Sequence, residues 1–154
     1  MKTLLILLTS IFFSIQVPAQ EIAELIKEGE FVWDPPKELS ITPEKFDNDE
    51  YLDGELTMTV VRFTPGKEST PQILFDMIVE SGSRPMNLKQ GLQWLSTNLP
   101  GTHPSKQVVF LGSHVHMSGL EYYPTVTWVN GVRHIGFTHR IFGEGVSYPV
   151  YSKK

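Results

Sequence analysis

The chain has 154 residues, a formal net charge of −4, eleven prolines, twelve glycines and no cysteine. That length suits one domain. The absence of cysteine excludes disulfides and thiol nucleophiles, and the acidic balance argues against non-specific binding to nucleic acid or anionic lipid.

Residues 1–19 read as a secretory signal, with Lys2 at its start, an apolar run from Leu4 to Phe13, and Val17-Pro18-Ala19 before a cut at Gln20. The run is too short to span a hydrocarbon core of about 30 Å. No later run is long enough either, so the expectation is a secreted or periplasmic chain with no membrane span after cleavage. Cleavage removes Lys2 and leaves all 17 acidic residues. The division expected is a signal peptide at 1–19, an N-terminal helix and turn-rich segment at 20–55, and an α+β domain at 56–154.

Glu21 to Glu28 predicts a short helix, with Ile22, Leu25 and Ile26 on one face and Gly29 to end it. Phe31, Val32 and Trp33 follow, and Pro35-Pro36 stops regular structure. Asp47, Asp49 and Asp53 invite a calcium reading, but their spacing lacks the register of a calcium-binding loop. A solvated acidic loop is expected instead.

Leu56 to Phe63 reads as a strand, Thr64 to Lys67 as a turn, and Gln72 to Glu80 as the returning strand. In that strand Ile73, Phe75, Met77 and Val79 share one face, while Asp76 and Glu80 lie on the other. Ser81 to Pro85 is a loop. Asn87 then caps a helix, with Gln90 placed for a reciprocal cap. Leu88, Leu92, Leu95 and Leu99 form its apolar stripe, Gly91 weakens it, and Pro100-Gly101 ends it.

Asn130-Gly131 predicts a two-residue hairpin that sets Val129 against Val132, Trp128 against Arg133 and Thr127 against His134. Ser118-Gly119 predicts a second turn, with Met117 against Leu120 and His116 against Glu121; the alternative is a bulge in one long strand. Extended upward, this register sets Leu111 opposite Val126. One face then carries Val109, Leu111, Val115, Met117, Leu120, Val126, Trp128, Ile135, Phe137 and Ile141 as a core. The other carries His114, His116, Glu121, Tyr123, Thr125, Thr127, His134, Thr138 and Arg140. Gly143 to Gly145 is a turn, and Val146 to Tyr151 is a last strand, its Pro149 suited to an edge.

The polar face supplies the candidate site. His114 and His116 are two residues apart on a strand and point the same way, with Glu121 opposite His116. These three could begin a zinc site or another divalent-metal site, which needs three or four converging ligands. The alternative is a charge row of His116, Glu121 and Arg140 across three strands. Tyr123 beside His114 is the aromatic placed nearest to polar groups, so the ligand-binding candidates are His114, His116, Glu121, Tyr123 and Arg140. Ser113 and His114 are adjacent, so they face opposite ways in a strand and cannot act as nucleophile and base. No nucleophile elbow, phosphate loop or dinucleotide fingerprint is present, and no catalytic residue is nominated.

The order of elements, together with Leu99-Pro100-Gly101, Leu111-Gly112 and Asn130-Gly131, resembles the PsbP-like fold over residues 56–152. The resemblance implies a small secreted or periplasmic domain with one antiparallel sheet and helices that can cover both faces. It also implies a role in binding or assembly, without shared catalytic residues. The fold class expected is therefore α+β: a single antiparallel sheet of five to six strands with a C-terminal meander. One main helix and a short N-terminal helix pack against it. The expected function is a non-enzymatic domain that binds a protein or another envelope component without a cofactor. The alternatives are a metal-binding protein or metal-dependent hydrolase using His114, His116 and Glu121, and a carbohydrate-binding module.

Overall fold

A computed structural model describes residues 21–49, 56–61, 70–98, 107–143 and 145–153. The signal segment, Asp53, Glu144 and Leu99-Pro100-Gly101 lie outside the described residues. In chain order the elements are α1 (Ile22–Glu28), β1 (Phe31–Trp33), two 3-10 turns (Lys37–Leu39 and Pro43–Phe46), β2 (Leu56–Val61), α2 (Pro71–Glu80), β3 (Ser83–Pro85), α3 (Leu88–Asn98), β4 (Gln107–Val109), β5 (Val115–Met117), β6 (Leu120–Val129), β7 (Val132–Thr138) and β8 (Val146–Lys153).

The class is α+β. One sheet runs in the order β1-β7-β6-β4-β8-β2, with β3 attached to β8 and β5 attached to β6. It is mixed, which corrects the antiparallel expectation: β1 runs parallel to β7, and β4 runs parallel to β8. A second correction concerns Gln72 to Glu80, which are helical rather than a returning strand. Thr70 caps this helix by accepting from the Ile73 N–H at 3.2 Å, and Pro71 occupies the first turn, where its missing N–H costs nothing. The hairpin expected at 56–80 is therefore absent, and β2 pairs antiparallel with β8 instead.

The three helices divide between the two faces of the sheet. α1 and α3 cover one face, where Ile22, Leu25, Leu88, Leu92 and Leu95 pack with Val108, Phe110, Val126, Ile135 and Phe137. α2 covers the other face, where Leu74 and Ile78 pack with Val109, Leu111, Ile141, Tyr148 and Val150. Segment 31–46 closes the first core: Phe46 stacks on Phe137 at 5.6 Å, and Trp33 donates from Nε1 to the Ile41 carbonyl.

Both hairpin turns form. Ser118, Gly119, Asn130 and Gly131 all take positive φ, as this kind of two-residue turn requires. The β6–β7 pairs match the expected register from Val129–Val132 to Pro124–Phe137, and β5–β6 pairs Val115–Tyr122, His116–Glu121 and Met117–Leu120. Above them the register breaks. β4 sets Val108, not Leu111, opposite Val126, a slip of three residues. An odd slip inverts the faces, so Val109 and Leu111 lie on the α2 side and not in the Val126 core; Ile141 joins them there.

The slip has a structural cause at residues 110–114. Gly112 donates from its N–H to the Met86 carbonyl, and Ser113 Oγ accepts from the Leu88 N–H at 2.8 Å. A Cβ on Gly112 would lie 2.7 Å from the backbone of Met86 and Asn87, so only glycine permits this approach. The expected reciprocal cap is present beside it: Gln90 N–H donates to Asn87 Oδ1, and Asn87 N–H donates to Gln90 Oε1. At the other end of α3, Arg133 donates to the carbonyls of Leu95 and Gly29 and lies 4.3 Å over the Phe31 ring. It thereby satisfies late carbonyls of both α3 and α1.

Gly91 in α3 is explained by packing, since a Cβ there would overlap the fully buried Phe110 ring. Gly91→Ala gains about 1 kcal/mol of helix propensity but meets an overpacking cost of about 1–3 kcal/mol. We expect net destabilisation, read as a lower urea midpoint with an unchanged slope.

Candidate functional site

Period two sets Glu121 and Tyr123 on one face of β6. The Tyr123 hydroxyl donates to Glu121 Oε2 at 2.7 Å, which holds the carboxylate against the sheet. Tyr123 is only 7 % exposed. Burial first, and then its bond to Glu121, push this phenol well above its ordinary range, so it stays a neutral donor. The His114 ring sits 6.0 Å from the Tyr123 ring, tilted by 46°. His114 reaches this position because segment 110–114 leaves the ladder and returns.

α2 turns this polar face into a cleft. Thr70, Pro71, Gln72 and Phe75 form one wall; Leu111, His114, Glu121 and Tyr123 form the other, around a cavity of about 500 Å³. Three of the five candidate binding residues therefore come together. His116 faces Glu121 in register but is exposed and does not line the cavity. Arg140 is also exposed and lies past the end of β7, its N–H donating to Thr138 Oγ1. The charge row of His116, Glu121 and Arg140 is therefore not completed.

His134 is half-buried, and its Nδ1 lies 3.4 Å from Asp34 Oδ2, on the β1 side of the sheet. His139 is exposed, and its ring meets Tyr122 edge-on at 5.4 Å. Among the described residues, no group of three or more His, Asp or Glu side chains could hold a metal ion. Asp47 and Asp49 serve as internal acceptors, Asp47 for the Ile22 N–H at 2.8 Å and Asp49 for the Ser113 hydroxyl. Trp33, Trp94 and Trp128 are each partly buried against the core.

A second cavity, about 460 Å³, opens on the other side of Phe75. Phe75, Val79 and Arg84 line it together with Asp49, Asn87, Gln90, Gly112 and Tyr151. Sequence reasoning missed Thr70, Gln72, Phe75 and Arg84 as lining residues because it placed 72–80 in the sheet. The signal that could have found them is Thr70-Pro71, a cap residue followed by proline at a helix start.

Ser113 is buried, and its hydroxyl is engaged between the Leu88 N–H and Asp49. The first cavity offers a carboxylate, an imidazole and the apolar surfaces of Phe75 and Leu111.

Asp49 carries a measurable consequence. Burial pushes its carboxyl above the ordinary value of 3.8, against the opposing Ser113 hydrogen bond and Lys89 charge. The folded chain thus holds this proton more tightly than the unfolded chain does. Wild type should therefore gain stability relative to Asp49→Asn as the pH falls from 7 through the raised folded value, with the gain complete below the unfolded value. Urea unfolding of both proteins between pH 7 and 4 tests this, and a pH-independent difference would contradict it.

Searches of family models, curated proteins and solved structures find no match to this chain.

Proposed function

We propose that this chain is a non-catalytic binding domain, acting in the secreted or periplasmic space, and that its ligand enters the cleft between α2 and the β5–β6 hairpin. The observation that carries this reading is the convergence of His114, Glu121 and Tyr123 with Phe75 and Leu111 around one cavity of about 500 Å³. The cavity joins the apolar surfaces of Phe75 and Leu111 to several placed polar groups, two elements that small-molecule and peptide sites combine. The ligand is a protein or another envelope component. The resemblance to PsbP-like domains, whose roles are in binding and assembly, supports the same reading. No cofactor enters it.

Backbone amide NMR with a soluble fragment set of primary amines, carboxylic acids and small aromatics tests the reading. Amine-bearing aromatic fragments should shift the amides of residues 70–75, 111–114 and 121–123. Phe75→Ala and Glu121→Gln should each weaken that binding at least threefold, because one removes the apolar wall and the other the charge. Hits that cluster elsewhere, or that ignore both substitutions, would rule the cleft out.

A further inference from the structure

The two cavities share Phe75, and their floors meet at consecutive residues Leu111 and Gly112. The first lies against the start of α2, at Thr70 to Gln72, and the second against its end, at Val79. Both lie on the flank of α2 that carries Phe75 and Val79, and they adjoin at Phe75. Phe75 is 39 % exposed and Val79 is 47 % exposed, so this flank offers apolar surface to an occupant at its centre and its far end.

Its ends differ in charge. Glu121 lies at the α2 start, its carboxylate held by Tyr123. Arg84 lies at the α2 end, exposed on β3; the Asp49 carboxylate lines the same cavity but accepts from the Ser113 hydroxyl and is offset by the nearby Lys89 charge. From Pro71 to Val79 the helix rises about 12 Å, which an extended chain covers in about four residues. The geometry points to an extended peptide segment as the occupant: apolar at its centre, with a cationic side chain at the Glu121 end and a carboxylate at the Arg84 end. This inference rests on the binding reading above and adds the chemistry of the ligand. The fit is electrostatic as well as steric. Opposite charges at the two ends fix the register of the segment, and a like charge at either end is rejected.

Three capped hexapeptides with a Leu-Leu centre test it: one with Lys and Asp at its two ends, one with two Lys, and one with two Asp. Affinity for the full chain is read by amide NMR titration. The Lys/Asp peptide should bind at least tenfold tighter than either other, with shifts along 71–79, 84–90, 111–114 and 121–123. Arg84→Glu should transfer the preference to the two-Lys peptide, and Glu121→Lys to the two-Asp peptide. Both residues are exposed, and circular dichroism checks that each variant stays folded. Equal binding of all three peptides, or preferences unmoved by the charge swaps, would overturn the inference. So would silence from all three while fragments still occupy the first cavity, a result that leaves the binding reading standing. Silence from peptides and fragments alike would overturn both.

Discussion

The fold depends on how the buried first turn of α3 is satisfied. A helix begins with four N–H groups that lack partners within it, and each costs free energy if it is buried unpaired. Here Asn87, Leu88, Lys89 and Gln90 are all buried. Asn87 and Gln90 satisfy one another, but the Leu88 N–H is met by Ser113, 25 residues away. Ser113 in turn donates to Asp49, while the Lys89 ammonium, on a side chain only 2 % exposed, donates to the Asp47 carbonyl at 3.0 Å. Asp47 then receives the first N–H of α1. One polar network therefore joins α1, the turn at 43–49, α3 and the segment after β4.

That network also explains the register break. Residues 110–114 cannot both continue the β4 ladder and reach α3. They leave the ladder, and the slip of three residues between the β4–β6 and β5–β6 pairings is the geometric result. The same detour sets Leu111 on the α2 side and brings His114 to the cleft beside Tyr123. The cap of one helix thus positions a side chain of the candidate site on the opposite face of the sheet.

Much of this was legible in the sequence, for identifiable reasons. Asn130-Gly131 and Ser118-Gly119 have strong local turn chemistry, and their hairpins formed in the expected register. Asn87 and Gln90 carry the capping box in their spacing. The Gln72 to Glu80 stretch misled because six of its nine residues are large and apolar, so it satisfies helix and strand periods at once. Only Leu74 and Ile78 are buried, at i and i+4, a pattern visible once the helix start at Thr70-Pro71 is given weight. The strands β1, β3 and β4 have three residues each, too few for any period to show. The site was half legible for the same reason. Glu121 and Tyr123 follow from strand alternation, whereas the wall that makes them a cleft belongs to the misread helix.

α2 is less well secured than α3, and this bears on what the cleft can do. Its two buried residues, Leu74 and Ile78, contribute about 1.5–3 kcal/mol each. Against this stands about 1–2 kcal/mol of backbone entropy for every residue ordered, offset in part by helix hydrogen bonds, the Thr70 cap and the Ser81 hydroxyl donating to the Ile78 carbonyl at 2.6 Å. α3, by contrast, buries three leucines and is held at both ends, by the cap network and by Arg133. Ile73, Phe75, Met77 and Val79 leave both flanks of α2 apolar and open among the described residues. Any ligand that covers one flank removes apolar area from water at about 25 cal/mol per Å², and it does so on a helix with only two buried residues. Binding energy in this cleft is therefore coupled to the order of α2, and a ligand should raise the stability of that helix more than that of the α1–α3 face.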